Sequence, residues 1–149
     1  MDESQKAQPF VRLLQERVDT WLASDEARRF ECAELYRYLP GLYLFLMRLA
    51  TEARVPPRER TGILAALKYI IAPYDLIPEG VVGTSGFRDD LVLAAMTVAH
   101  VAEQVPTAVL AAHWQQPGDP IEVARTILDA GHAMVGASLC DRLKDWLPH

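Results

Sequence analysis

Apolar residues in this chain return every three to four positions, and prolines and glycines cut that pattern into helix-length pieces. No stretch of Val, Ile and Thr alternates with polar residues, so no strand is expected. Phe10, Leu13, Leu14, Val18, Trp21 and Leu22 fall on one face of a first helix over about 5–22. Ser24 and Asp25 can cap a second, reaching about residue 38 and ending before Pro40-Gly41. A third turns Leu42, Tyr43, Leu46, Met47 and Ala50 inward and stops at Pro56-Pro57. Pro57 suits the first position of a fourth helix, where its missing N–H costs nothing. That helix carries Ile63, Leu64, Leu67, Ile70 and Ile71 on its apolar stripe. Ala72 precedes Pro73 and is biased out of the helical region, so the helix is expected to end there. Residues 73–86 read as irregular.

A long helix over about 87–104 follows. Leu91, Ala94, Ala95, Val98, Ala99 and Ala102 fill one wide side of it. Asp89, Asp90, Thr97, His100, Glu103 and Gln104 share a narrow polar stripe, which suits the middle of a bundle. Pro106 starts another helix ending near 116. Pro117-Gly118-Asp119-Pro120 is a turn in which Asp119 caps a helix reaching about 135, and a last helix covers about 138–146. The expected fold is all-α: one domain over 1–149, an orthogonal helical bundle of about seven or eight helices with short connections and a central helix–linker–helix corner.

A chain of 149 residues, half of them hydrophobic and 23% charged, can bury a core that needs neither disulfide nor metal. Its net charge of −5 argues against nucleic acid as the main partner, because such binding rests on neutralising phosphates. Cys32 and Cys140 lack metal-type spacing and read as two half-buried thiols. The polar opening Met1-Asp2-Glu3-Ser4-Gln5-Lys6 is not that of a signal peptide. No apolar stretch is long enough to cross a bilayer without interruption. A soluble, cytoplasmic protein in a reducing compartment is expected, with no transmembrane segment.

The densest chemistry lies in residues 69–90. Asp75, Glu79, Asp89 and Asp90 fall within sixteen residues among apolar, Pro- and Gly-rich neighbours, with Arg88 as the basic residue there. Carboxylates in such a setting must cap helices, pair with cations or bind metal. On the structural reading, Pro73 ends one helix, Asp75 caps a short turn and Pro78 stiffens a linker running to Gly86. Asp89 and Asp90 then sit in the first turn of the next helix, where the macrodipole favours them, and Lys68 and Arg88 pair with the remaining acids. On the functional reading, the four acids hold Mg²⁺, Mn²⁺ or Ca²⁺, which take oxygen ligands.

Ala72-Pro73-Tyr74-Asp75-Leu76-Ile77-Pro78, followed after a short apolar linker by Asp89-Asp90-Leu91-Val92-Leu93, resembles the YkvA-like bacterial domain family of unknown function. The resemblance covers about 57–104. Glu79 stands where that family usually has Asp, and residues 80–86 lack its second proline and run about one residue longer. The resemblance implies the helix–linker–helix motif and carries no reaction, cofactor or catalytic residue with it.

Other constellations are weaker. His100-x-x-Glu103 and Asp129-x-x-His132 share helix faces, but the further inward glutamates of a di-iron bundle are not evident. His113-Trp114 reads as an amphipathic helix end. Ser85 and Ser138 lack a nucleophile elbow, and Gly80-x-x-Gly83-x-x-Gly86 lacks the lysine of a phosphate loop. No catalytic residue and no cofactor-binding residue is assigned.

Charge is uneven: Arg48, Arg54, Arg58, Arg60 and Lys68 face only Glu52 and Glu59 within residues 48–68. Such a cluster is either a helix junction paired with acids elsewhere or a contact for an acidic partner or anionic lipid. Tyr36, Tyr38, Tyr43 and Phe45 form an aromatic stretch that one core is not expected to cover. The expected function is therefore a non-enzymatic protein-interaction or adaptor module, acting on a protein partner or as a homo-oligomer. The alternatives are a metal-dependent hydrolase using Asp75, Glu79, Asp89 and Asp90, and a regulatory protein at the membrane periphery.

Overall fold

The computed structural model describes residues 3–28, 33–76 and 84–135 of the chain. Among them there is no strand. Six α-helices of seven residues or more are present: α1 (Glu3–Leu22), α3 (Leu39–Ala50), α4 (Pro57–Leu76), α5 (Thr84–Ala102), α6 (Thr107–His113) and α7 (Pro120–Val135). A single turn, α2 (Asp25–Arg28), and a 3-10 segment (Ala33–Tyr38) lie between α1 and α3. The helix expected over 138–146 lies outside the described residues, as do Cys32 and Cys140.

α3 and α5 sit at the centre. α3 packs on α1, α4, α5 and α6, while α5 packs on α3, α4 and α7 and touches the 3-10 segment. The reason is compositional. Every residue of α5 from Asp90 to Val98 is buried, and so are eight of the twelve residues of α3. A helix apolar on all sides is stable only when neighbours surround it. The main core joins Leu14, Val18, Leu42, Leu46, Ile63, Leu67, Leu91, Val98 and Ile127 from five helices.

Four expectations are corrected. The single helix over 25–38 is α2 plus the 3-10 segment, whose Arg37 bonds Glu34 at 2.6 Å with i, i+3 spacing. Ser24 does cap α2, its Oγ accepting from the Ala27 N–H at 3.2 Å. α4 does not end at Ala72. Its backbone continues through Pro73 to Leu76, because a proline removes one hydrogen bond without preventing the next turn. α5 begins at Thr84 rather than near 87, so Gly86 is helical. Asp89 and Asp90 are then the sixth and seventh residues of α5, beyond the first turn where the macrodipole acts. Finally, the polar stripe of α5 is itself covered at two of its members, since Asp90 and Thr97 are both buried. Thr97 tolerates this because its hydroxyl donates to the Leu93 carbonyl at 2.7 Å.

The turn before α7 follows expectation. Asp119 Oδ1 accepts from the Ile121 N–H at 2.9 Å, Pro120 opens the helix, and Gly118 adopts φ 88°.

Candidate functional site

The turn between α3 and α4 gathers charge. Glu52 lies on it, and its Oε1 accepts from Arg54 Nε at 2.9 Å, with Arg54 Nη2 closing on the same oxygen. His113 Nε2, from the end of α6, stands 3.2 Å from that oxygen. Arg48 Nη1 donates to the His113 carbonyl at 3.4 Å, which satisfies a carbonyl of the last turn of α6. Hydrogen bonds from Arg54 first and His113 second hold the Glu52 carboxyl down at about 2. One turn into α4, buried Glu59 faces His100 of α5 at 3.8 Å.

Both acids of residues 48–68 are thus consumed. Arg58, Arg60 and Lys68, all on α4, form no ion pair with a described acid. The expectation that this cluster pairs with acids elsewhere is not met among the described residues. Arg60 is half-buried, and its Nε is buried with no hydrogen-bond partner.

Between α3 and α4 lies a groove of about 380 Å³, lined by Tyr43 and Met47 from α3 and by Leu64, Leu67 and Lys68 from α4, so that of these three cations Lys68 alone is among the lining residues. Tyr43 and Leu67 are buried and form its floor. Leu64 is 50% exposed and forms its lip. It stands alone as an exposed large hydrophobic side chain among the described residues. The sequence pattern had placed Leu64 inward with Ile63, Leu67 and Ile70. Those three take the seam of α4, and Leu64, turned about 100° from Ile63, falls outside it. The aromatic stretch behaves in the opposite way. Tyr36, Tyr43 and Phe45 are buried and Tyr38 is half-buried, so that stretch is core and not an uncovered surface. Tyr43 packs on Phe10, and Phe45 on Trp114, at ring-centroid separations of 4.7 and 5.1 Å.

The acidic segment is split by the structure. Pro73 and Asp75 lie in the last turns of α4; Gly86, Arg88 and Asp89 lie in the first turns of α5; the side chains of all of these fall outside the described residues. Pro78 and Glu79 lie wholly outside them. The convergence of Asp75, Glu79, Asp89 and Asp90 on one ion is therefore a matter outside the described residues. Asp90 is described, and it is only 2% exposed on α5. Of the irregular centre expected over 73–86, residues 73–76 and 84–86 are helical, and 77–83 lie outside the described residues.

Residues 59–96 match a family model described as a protein of unknown function (DUF1232). The match runs from Glu59 on α4 to Met96 on α5, about a quarter of the chain. It takes in Leu64, Leu67 and Lys68 of the groove, the acidic segment and the buried half of α5. No curated protein and no solved structure matches the chain. No helix among the described residues is long and apolar enough to cross a membrane.

Proposed function

We propose that this chain is a YkvA-like bacterial module of the cytoplasm that works without catalysis, by protein–protein contact, with the α3–α4 groove as its contact surface. The supporting observation is Leu64. A leucine half in water beside a groove floored by Tyr43 and Leu67 places apolar surface where a second chain gains by covering it. Concave apolar sites flanked by a few polar groups are the usual form of a binding groove. The α4 wall of the groove, Leu64, Leu67 and Lys68, falls within the stretch that matches the family model, while Tyr43 and Met47 of α3 lie before it.

The test combines light scattering over a concentration series with affinity capture, on wild type and Leu64→Ala. Self-association or capture of a defined partner that weakens at least ~10-fold in the variant supports the reading. A monomer that captures nothing, or a partner held equally by both proteins, rejects it.

A further inference from the structure

We propose that the α3–α4 groove accepts an acidic amphipathic helix of a partner protein, its apolar side against Leu64 and Leu67 and its carboxylates on Arg60 and Lys68. This rests on the reading of the groove as a contact surface and adds the chemistry of its occupant. The whole chain carries −5, yet α4 holds cations with no acid partner among the described residues. Arg60, Leu64 and Lys68 follow one another at i, i+4 and i+8, so they form a single ridge along α4 within an arc of about 80°. The ridge reads cation, leucine, cation over a rise of ~12 Å. A helix laid along it meets both cations when its own acids stand about two turns apart with an apolar residue between them. Arg58 lies about 120° from Leu64 around α4 and off this ridge, which makes it an internal control.

An anionic membrane would also favour cations. However, a membrane-seeking face needs several apolar side chains projecting together. Among the described residues Leu64 projects alone, and its apolar neighbours Tyr43 and Leu67 form the floor of a concavity. A concavity suits a helix, whose side chains project into it.

The experiment displays a library of helical peptides of about 16 residues, selects binders on the full chain, and measures them by fluorescence anisotropy. Binders are expected to be acidic and amphipathic. Leu64→Ala and Lys68→Glu should each weaken them ~10-fold or more, Arg58→Glu should leave them unchanged, and added salt should weaken them. Selection on Lys68→Glu should return basic peptides in their place. If binders lose affinity in Leu64→Ala but are neutral or indifferent to Lys68→Glu, the groove stands and the acidic occupant is overturned. If no binder responds to Leu64→Ala, the groove itself is overturned. Binding of phosphatidylglycerol vesicles without peptide binding, or a homodimer that Lys68→Glu dissolves, also overturns the acidic helix as the occupant. Circular dichroism melts confirm that the three variants, all at exposed positions, remain folded.

Discussion

Glu52 and His113 stand 61 residues apart in sequence, yet Oε1 of one lies 3.2 Å from Nε2 of the other. The contact pins the end of α6 to the turn between α3 and α4. Arg54 completes it, and the two together hold the Glu52 carboxyl at about 2 against an ordinary value of 4.5. A carboxyl depressed in the folded chain binds its proton more readily when unfolded. The linked stability is therefore fully present above about 4.5 and is lost as pH falls toward about 2. Glu52→Gln should remove that part of the acid sensitivity. Denaturant melts taken at steps down this window should show the stability gap between wild type and variant narrowing with each step. Parallel curves would mean that the contact does not persist in solution.

Asp119 and Gly118 set the start of α7 by different means. The Asp119 carboxylate caps the helix through the Ile121 N–H. Asp119→Ala should cost ~0.5–2 kcal/mol, and Asp119→Asn, which keeps an acceptor, much less. Gly118 at φ 88° occupies the left-handed region, with nothing within 4 Å of an added methyl group. Gly118→Ala should therefore cost about 1 kcal/mol from the backbone alone. Chemical denaturation of the three variants measures both effects. A Gly118→Ala variant as stable as wild type would contradict the turn geometry.

Much of this architecture is legible in local spacing. α1, α3 and α7 show a clear apolar face, and Asp119-Pro120 marks a helix start by chemistry that needs no distant partner. The misreadings have physical causes. Pro73 looks like a terminus because a proline breaks one hydrogen bond, but whether a helix resumes depends on the turn that follows. Thr97 falls on the polar stripe of α5 because a hydroxyl is polar, yet it is buried and satisfies itself on the Leu93 carbonyl. Leu64 looks inward because it adjoins Ile63 in an apolar stripe. Which edge of that stripe α3 covers depends on tertiary placement, and periodicity holds no record of it. The Glu52–His113 and Glu59–His100 pairs likewise join separate helices, so no local spacing announces them. The cation excess of residues 48–68 is visible in composition, but that Arg58, Arg60 and Lys68 pair with no acid among the described residues follows only from where Glu52 and Glu59 sit.

Gly41, in the first turn of α3, is where Gln116 comes in. A methyl group on Gly41 would lie 1.3 Å from Gln116 Nε2, so the carboxamide occupies the space a side chain would take. Two effects then oppose each other in Gly41→Ala. Alanine is favoured over glycine in a helix by up to ~1 kcal/mol, while Gln116 must swing aside. The obstacle is the end of a flexible side chain, so the displacement should be tolerated and the variant should fold. Removing the obstacle should reveal the helix gain: Gly41→Ala should stabilise a Gln116→Ala background more than it stabilises wild type. A double-mutant cycle by urea denaturation isolates that difference. Equal effects in both backgrounds would show that the two residues do not meet.

Leu64 and Leu67 are three residues apart on α4 and should separate stability from binding. Leu67 is 3% exposed and joins the main core, so Leu67→Ala should cost ~2–5 kcal/mol through lost burial and the cavity left behind. Leu64 is 50% exposed, and Leu64→Ala should change stability by no more than ~0.5 kcal/mol, since alanine also favours the helix. If the groove is a contact surface, the order reverses when association is measured at a temperature where both variants are folded. Leu64→Ala should then lose partner affinity out of proportion to its stability. A Leu64→Ala protein destabilised as strongly as Leu67→Ala would place Leu64 in a covered interior, and the groove would lose its claim to a partner.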